Sequence, residues 1–381
     1  MLVCSNCANT FSTAEPRWCC ECGGYLLLQD RPAFSLDALR GRPPGLWRYL
    51  DGLGLSNLCN AVSLGEGSTP MIEIRLEGKP VTLKLDYLCP TGSYKDRGSA
   101  VMISKLKEWG VSEIIEDSSG NAGASIAAYA AVAGIRANIY VPESTSAGKA
   151  AQIAMYGANL IKVPGSRSDA AAAAWAASQH TFYGSHNWSP YFLAGLKTAA
   201  YEIAEQFSWD PPDWVVTPAG GGGLLAGLYF GCRELFEAGL IRRVPRLAAI
   251  QSAGCDPIYQ AWAAGASDIP GVCPVSTAAE GIAVASPVRG KTILEAIRAT
   301  SGVVRTVEDD AIWETLALLG RHGVYVEPTA AAAPAAIRSL FAEGAIARQE
   351  RVVVILTGSG LKATDKIVAH LGAAAPSTVP A

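Results

Sequence analysis

The sequence lacks the features of several broad classes of protein. Only 17% of its 381 residues are charged, and 31 basic residues against 34 acidic ones give a formal net charge of −3, with no basic run. This balance predicts neither a nucleic acid nor an anionic membrane surface as a partner. No uninterrupted apolar stretch reaches transmembrane length, and the segment from Met1 to Cys4 lacks the basic region and apolar core of a secretory signal. We therefore expect a cytoplasmic protein.

Several common catalytic and nucleotide-binding motifs are also missing. The chain has only four histidines, which show neither the order of a catalytic triad nor an HExxH metal motif. The glycine run at 220–223 is followed by no GK[ST] sequence and has no acidic partner for a ribose, which disfavours a P-loop and a nucleotide-binding oxidoreductase. We interpret the histidines as packing or surface residues: His180, His186, His322 and His370.

The sequence does contain a regular alternation of strand and helix patterns. Half of the residues are hydrophobic, and 381 residues suffice for more than one core. We predict strands at 71–74, 81–85, 112–117, 137–142, 159–163, 214–218, 247–251 and 351–356. We predict helices at 99–109, 124–133, 149–156, 169–178, 191–207, from the glycine run to about 237, and at 292–299, 310–321 and 330–343. This alternation predicts parallel sheets with right-handed crossovers in two α/β lobes.

Cysteines are concentrated at the N-terminus, where five of the ten lie within the first 22 residues. Cys4 with Cys7, and Cys19 with Cys22, form two CxxC pairs, and Cys20 is left over. Each pair places two thiolates on one tight turn, and two such turns complete a tetrahedral Zn²⁺ site. Disulfide or redox use is the alternative. Because four thiolates leave no open coordination position, such a zinc ion would be structural.

One lysine, Lys95, lies in a short turn at 90–98 between a predicted strand and a predicted helix. Desolvation and a rigid setting lower the pKa of an amine and make it a nucleophile for Schiff-base chemistry. The alternative is a solvated lysine beside a surface ion pair between Asp96 and Arg97.

Three further turns that follow predicted strands carry small polar residues. The glycines at 220–223 let the backbone approach an anion at a helix N-terminus, although a flexible turn has the same composition. The segment 118–121, Ser-Ser-Gly-Asn, suits a carboxylate and a phenolic oxygen, although such residues also cap helices. Thr357, after the last strand, offers a neutral hydroxyl.

Taken in order, these four stretches resemble the fold-type II pyridoxal-phosphate enzymes, and among them the threonine synthase family. The matching motifs are Thr-Gly-Ser-Tyr-Lys-Asp-Arg-Gly at 91–98, Ser-Ser-Gly-Asn at 118–121, the four glycines at 220–223 and Thr-Gly-Ser-Gly-Leu-Lys at 357–362. Further similar segments are 65–70, 197–203, 280–283 and 327–329. Some members of the family also carry an N-terminal zinc ribbon.

The resemblance implies a fold-type II α/β fold with two lobes of parallel or mixed sheet and a small four-cysteine zinc ribbon. It implies a zinc ribbon at 1–30, a large cofactor-binding lobe at 31–95 and 183–372, a small α/β lobe at 96–182 and a tail at 373–381. It also implies pyridoxal 5′-phosphate as cofactor, a small amino-acid substrate and a homodimer. The metal ligands would be Cys4, Cys7, Cys19 and Cys22.

The resemblance also assigns roles to residues in the site. Lys95 would form the Schiff base and, once released, move the α-proton as a general base. A neutral hydroxyl from Thr357 would not hold the cofactor's ring nitrogen protonated, which favours elimination or replacement over transamination. The cofactor-binding residues would be Lys95, Asn121, Gly220, Gly221, Gly222, Gly223, Thr357 and Ser359. The substrate-binding positions would be Ser118, Ser119, Gly120 and Ala122, the first three for the carboxylate.

The implied activity is elimination or replacement at the β or γ carbon of an amino acid, from O-phosphohomoserine to threonine or on a related substrate. The family binds the substrate phosphate with an arginine and a threonine, but here Phe192 and Ala122 stand at those positions, and an aromatic ring cannot replace a bidentate cation. Other candidates for that phosphate are Arg97, Lys149, Arg167 and His186. The alternatives are a serine/threonine ammonia-lyase or a specialised-metabolism β-replacement enzyme on an unphosphorylated substrate and, more remotely, a non-catalytic zinc-ribbon interaction protein.

Overall fold

The computed structural model describes residues 1–29, 34–145 and 147–374. The strands are β1 (Leu2–Cys4), β2 (Thr10–Phe11), β3 (Leu26–Leu28), β4 (Met71–Leu76), β5 (Lys79–Lys84), β6 (Glu113–Glu116), β7 (Arg136–Pro142), β8 (Asn159–Val163), β9 (Phe182–Tyr183), β10 (Trp214–Pro218), β11 (Arg246–Ser252), β12 (Val303–Val307) and β13 (Val352–Ile355). The α-helices are α1 (Leu36–Arg40), α2 (Lys95–Glu108), α3 (Asn121–Ala133), α4 (Ala147–Met155), α5 (Arg167–Ala177), α6 (Pro190–Gln206), α7 (Gly223–Glu237), α8 (Pro257–Ala263), α9 (Gly290–Ala299), α10 (Asp309–Arg321), α11 (Pro328–Ala335), α12 (Ile337–Ala342) and α13 (Thr364–Ala374). Among the described helices, none is both long and apolar enough to cross a bilayer.

The larger sheet has six strands in the order β12-β11-β10-β13-β5-β4. Neighbouring strands from β12 to β5 are parallel, and β4 pairs antiparallel with β5 at the edge. The strand β13 has only apolar residues because both of its faces are covered. Val353 and Ile355 belong to the core on one face, and Val352 and Val354 to the core on the other.

The smaller sheet has four parallel strands in the order β8-β7-β6-β9. Its strand β6 ends at Glu116, and the chain then enters α3 through a polar turn at 117–120. An alanine-rich helix such as α3 packs closely on a sheet because its side chains are small, and Ala124, Ala127 and Ala130 are all buried in the core of this lobe.

A third, three-stranded antiparallel sheet in the order β2-β1-β3 forms the N-terminal unit. Trp18 of this unit contacts Trp175, Tyr183 and Trp188 edge-on, with ring centroids 4.9, 5.1 and 5.7 Å away. Tyr25 exchanges a 2.7 Å hydrogen bond with Thr292 at the start of α9. The N-terminal unit therefore contacts α5 and β9 of the smaller lobe and α9, which packs on the larger sheet.

The predicted α/β fold with two lobes is confirmed, and most of the predicted strands and helices are present. One of the predicted elements is wrong. The helix predicted at 330–343 is interrupted at Ala336, just after the helix-interior Pro334. Sequence reasoning missed β1, β2, β3, α1, β9, α8, β12 and α13.

The predicted domain boundaries remain a prediction. The smaller sheet takes its strands from 113–183 and the larger one from 71–84 and 214–355. Residues 30–33, where the predicted ribbon meets the predicted large lobe, and residues 375–381 of the predicted tail lie outside the described residues.

Candidate active site

The carboxyl ends of three neighbouring parallel strands bring the predicted motifs together. In the larger sheet β13 lies between β10 and β5, with Val354 paired to both Val216 and Leu83. The glycine loop follows β10, Thr357 follows β13, and the lysine turn follows β5, so all three meet at one edge of the sheet. They line a cavity of about 1120 Å³ together with the turn after β6. The predicted site residues on its wall are Lys95, Ser118, Ser119, Gly120, Asn121, Ala122, Gly220, Gly221, Gly222, Gly223, Thr357 and Ser359.

Lys95 is the first residue of α2, four residues earlier than the predicted start of that helix. Its side chain is half-buried, and Nζ lies 2.8 Å from the hydroxyl of Tyr94. The amide of Tyr94 donates a 3.0 Å hydrogen bond to the carbonyl of Thr357, which ties the lysine turn to the end of β13. The amine is therefore held on rigid backbone while Nζ faces the cavity.

The two charged neighbours of Lys95 point into the protein, so the surface ion pair considered for them is wrong. Asp96 is fully buried and accepts hydrogen bonds from the amide and hydroxyl of Thr91 and from the hydroxyl of Ser125. Burial raises the pKa of Asp96, and these donors oppose the rise. Asp96 thus closes the turn that presents Lys95.

Arg97 is the centre of a buried ion cluster formed by Lys84, Asp86, Arg97 and Glu202. Its guanidinium donates to both carboxylate oxygens of Asp86, at 2.8 and 2.9 Å, and to Glu202 at 2.9 Å. Lys84 donates to the other oxygen of Glu202. Burial raises the pKa of Glu202, but the charges of Arg97 and Lys84 outweigh that effect and lower the pKa to about 2. The cluster fixes α2 to β5 and α6 and leaves Arg97 no free donor for a substrate phosphate.

The glycine loop is shaped so that side chains would not fit at two of its positions. A Cβ atom on Gly220 would lie 2.8 Å from Cα of Ile282, and one on Gly222 would overlap Cδ1 of Ile293. Gly222 also has a φ of +70°, the left-handed region that favours glycine. The helix α7 begins at the next residue, so its unpaired amides lie at the loop. The arrangement suits an anion.

Two buried hydroxyl groups are unpaired, one in the lysine turn and one just after β13. These hydroxyls, of Ser93 and Thr357, have no hydrogen-bond partner within the described part of the chain. Asn121, the first residue of α3, donates a 2.9 Å hydrogen bond to Glu327. Glu327 belongs to the matching segment 327–329, and its contact with Asn121 is one that the sequence did not predict. A buried hydroxyl without a partner indicates a ligand that supplies one.

A second part of the cavity wall departs from the family pattern. It contains Ala122, Phe192 and His186, and we call these three residues the substrate region. Phe192 is 1% exposed, and its ring lies 5.9 Å from that of His186.

Among the other phosphate candidates, Arg167 lines the cavity, whereas the side chain of Lys149 lies outside the described residues. Lys362, the last residue of the matching motif at 357–362, donates hydrogen bonds to the carbonyl of Thr91 and to the side chain of Gln152.

His186 is bound to a buried acid, Glu116, that sequence reasoning missed. Nδ1 of His186 lies 2.5 Å from Oε1 of Glu116, and the amide of His186 donates to Oε2 at 3.2 Å. Burial raises the pKa of Glu116 to about 8, and burial with the charge of Lys95 lowers the pKa of His186. His186 is therefore neither a plain packing residue nor a surface residue. The only signal in the sequence was an acid at the end of a predicted strand.

The N-terminal cysteines form a cluster, but its membership differs from the prediction. The thiols of Cys4, Cys7, Cys20 and Cys22 lie within 4.8 Å of one another. The prediction of Cys19 as the fourth ligand is wrong, because Cys19 bridges to Tyr25 in extended conformation. Successive residues of an extended segment point to opposite sides, so only one of the two neighbouring thiols can face Cys4. That one is Cys20, which is buried.

Comparison with known proteins decides the family. The family described as pyridoxal-phosphate dependent enzyme matches residues 62–358. The chain belongs to this family. It is 36% identical over 378 residues to the threonine synthase of Methanocaldococcus jannaschii, covering 96% of this chain and 93% of that protein. It is also 36% identical to the threonine synthase of a Synechocystis species, covering 85% and 84%.

Solved structures support the same fold. A threonine deaminase from T.th. superposes with a TM-score of 0.65 at 27% identity, covering 76% of this chain and 92% of that one. Maize serine racemase superposes with a TM-score of 0.67 at 24% identity, covering 80% and 93%, which concerns the fold alone. The predictions of a fold-type II, pyridoxal-phosphate-dependent enzyme of the threonine synthase family are thereby confirmed.

Proposed function

We propose that this enzyme catalyses elimination or replacement at the β or γ carbon of a small amino acid, in a threonine synthase-like reaction. One observation carries the proposal: a lysine amine, a glycine loop suited to an anion and a buried unpaired hydroxyl line a single cavity of about 1120 Å³. The relatives named threonine synthase support the same reaction class.

The residues present fit pyridoxal phosphate. The hydroxyl of Thr357 is buried without a partner in the described residues, and a ring nitrogen would supply one. The glycine loop, with amides of the α7 N-terminus beside it, would hold the phosphate at Gly220, Gly221, Gly222 and Gly223. Asn121 would face the 3′-oxygen, with Ser359 near the ring nitrogen, and Lys95 would hold the aldehyde carbon.

The chain's own residues would then divide the chemistry. When bound, pyridoxal phosphate supplies an electron sink for the bonds at the α-carbon of the amino acid. Ser118, Ser119 and Gly120, just before α3, would bind the substrate carboxylate through hydroxyls and amides. Lys95 Nζ would take the α-proton, because it faces the cavity from the start of a rigid helix. Because the hydroxyl of Thr357 is neutral, it would not hold the ring nitrogen of the cofactor protonated. The weaker electron sink would favour elimination and replacement over transamination.

A second candidate, an enzyme on an unphosphorylated substrate, is favoured by the substrate region. Phe192 and Ala122 offer no charge to a phosphate dianion, and Arg97 is committed to its buried cluster. Besides Lys95, the cations on the cavity wall that remain for O-phosphohomoserine are Arg167, Arg289, Lys362 and Lys366. Arg167 is exposed at the start of α5, whereas Arg289 and Lys366 already donate to backbone carbonyls and Lys362 to Thr91 and Gln152. Serine or threonine would need no such site, as in an ammonia-lyase.

The cofactor assignment is tested by absorption spectroscopy. The purified protein should absorb at the visible edge of the ultraviolet, and borohydride should bleach the band. Lys95→Ala should lose the band and the activity, whereas Lys107→Ala, which changes an exposed lysine of the same helix, should keep both. A band that survives Lys95→Ala would contradict the assignment.

The substrate is tested by product. Release of phosphate from O-phospho-L-homoserine would support the threonine synthase reaction. Release of a 2-oxo acid from L-serine or L-threonine would support the second candidate. Neither product from an enzyme that carries the chromophore would contradict both of these substrate assignments.

For the N-terminal unit we propose a structural zinc ion held by Cys4, Cys7, Cys20 and Cys22. Four thiols within 4.8 Å of one another match the donor set of a closed tetrahedral zinc site. Cys20→Ser should lower the zinc content measured by atomic emission, and Cys19→Ser, at the adjacent position, should not. An equal loss in both variants would contradict this ligand set. The cytoplasmic location, the homodimer and the domain boundaries stay predictions.

A further inference from the structure

Glu116 and His186 form a buried acid–imidazole pair that the proposed reaction does not yet use. Glu116 ends β6 and is fully buried, and His186 lies in the segment that leads into α6. His186 reaches the cavity wall, while Glu116 lies behind it at 2.5 Å from Nδ1. The imidazole ring therefore lies between the carboxyl group of Glu116 and the cavity.

The pair has a defined distribution of protons. Burial raises the pKa of Glu116 to about 8, and burial together with the charge of Lys95 lowers the pKa of His186 well below its usual value. At neutral pH the carboxyl group is then protonated and the imidazole is neutral. Because Nδ1 accepts the proton of Glu116, the imidazole's own hydrogen is on Nε2. Nε2 is the ring nitrogen opposite the acid, so the pair presents a neutral N–H donor on the cavity side.

The charges around the pair are mixed. Lys95 and Arg167 disfavour protonation of His186, and Asp117 favours it. Burial raises the pKa of Asp117, and the neighbouring Glu116 raises it further. A phosphate dianion would gain a hydrogen bond here but no ion pair, whereas a hydroxyl would gain the proton that it needs to leave.

We propose that His186, supplied with a proton by Glu116, is the general acid that protonates an uncharged oxygen leaving group of the substrate. This inference rests on the proposed function, which it narrows to amino acids whose leaving group departs as water or an alcohol.

The residues of the site account for every proton that moves in this step. The proton on the α-carbon passes to Lys95 Nζ. The carbon–oxygen bond breaks, its electron pair stays on the oxygen, and that oxygen takes the proton from Nε2 of His186. Nδ1 takes the proton of Glu116, which leaves a carboxylate and a neutral imidazole. Lys95 has gained the proton that the pair has lost, so returning it to the pair resets the site without another reactant.

The test compares two substrates that differ in the need for a proton. The hydroxyl of L-serine must be protonated to leave, whereas chloride leaves β-chloro-L-alanine without a proton, and both yield pyruvate. General-acid catalysis contributes about 10²–10⁴-fold, so His186→Asn should lower the ratio of the serine rate to the chloroalanine rate at least about 100-fold. His180→Asn makes the same change at an exposed histidine away from the cavity and should leave the ratio unchanged.

A second variant separates proton supply from positioning. In Glu116→Gln the amide N–H still donates to Nδ1 and keeps the hydrogen on Nε2, but it cannot give its proton away. The rate ratio should therefore fall in this variant as well. In the wild type the serine rate should fall as the pH rises through about 8, where Glu116 loses its proton, and this limb should be absent in Glu116→Gln. Nitrogen NMR of His186 in the unloaded protein should show hydrogen on Nε2 at neutral pH.

The outcomes separate this inference from the proposed function. A variant that loses both substrates equally, or hydrogen on Nδ1 by NMR, would show a structural role for His186 and overturn the inference. Wild-type activity on β-chloro-L-alanine or O-phospho-L-homoserine, with none on L-serine, L-threonine or L-homoserine, would overturn it while the proposed function stands. No turnover of any of them would overturn the proposed function itself.

Discussion

Two regions of one cavity use different chemistry. The residues that would hold the cofactor are glycines, Thr357, Asn121, Ser359 and one lysine, and buried contacts of Asp96 and Arg97 fix the lysine turn. The substrate region, Ala122, His186 and Phe192, has no charged side chain at neutral pH, because His186 is neutral beside Glu116. The first region therefore suits the cofactor, whereas the second suits an uncharged part of the substrate.

The largest expected effect comes from breaking the ion cluster beneath the lysine turn. Arg97→Met removes a fully buried cation and leaves Asp86 and Glu202 with Lys84 alone. Removing one partner of a buried pair costs about 3–5 kcal/mol, and we expect a loss of that size in the free energy of unfolding measured in urea. Arg136→Met breaks an exposed pair with Glu113 and should leave that free energy nearly unchanged. Equal effects would mean that the cluster does not support the turn.

A smaller effect is expected at the glycine loop. Gly222→Ala places a side chain in the left-handed region and against Ile293. The backbone strain and the overpacking together should cost about 2–4 kcal/mol, and the affinity for pyridoxal phosphate should fall with it. Gly239→Ala has nearly the same φ, +72°, but nothing within 4 Å, so it should show the backbone strain alone. Unfolding in urea and titration with the cofactor measure the two effects; cofactor affinity lost equally in both variants would contradict the crowding.

The sequence predicted that the four motifs belong to one site, and they do line one cavity, because each motif is local. Each motif follows a strand within a few residues, and parallel strands that share a sheet bring their carboxyl ends together, so the order of motifs was enough to place Lys95, Gly222 and Thr357 in one site. The edge strand β12 was missed because Arg305 and Thr306 interrupt its apolar pattern, and only its pairing with β11 defines it.

The pair of Glu116 and His186 could not be predicted in the same way. The two residues are 70 positions apart, neither belongs to a matching motif, and their contact depends on how the end of β6 packs against the segment before α6. The choice between Cys19 and Cys20 was likewise a matter of backbone conformation, because either thiol lies close enough to Cys22 in sequence to share a turn with it. Contacts between side chains far apart in sequence, and the side to which each of two adjacent residues points, depend on how the whole chain packs.

The smallest effect, and the sharpest test of the comparison between the two regions, is a charge placed in the substrate region. Phe192→Arg restores the cation that the family uses, and an arginine that pairs with a phosphate adds a charge-assisted contact. We expect the ratio of kcat/KM for O-phospho-L-homoserine to that for L-homoserine to rise about tenfold, which corresponds to about 1.4 kcal/mol. Phe192→Leu removes the ring without adding charge and should leave the ratio unchanged. If the wild type already prefers the phosphorylated substrate and Phe192→Arg does not change the ratio, the charge needed for that phosphate comes from another cation on the cavity wall: Arg167, Arg289, Lys362 or Lys366.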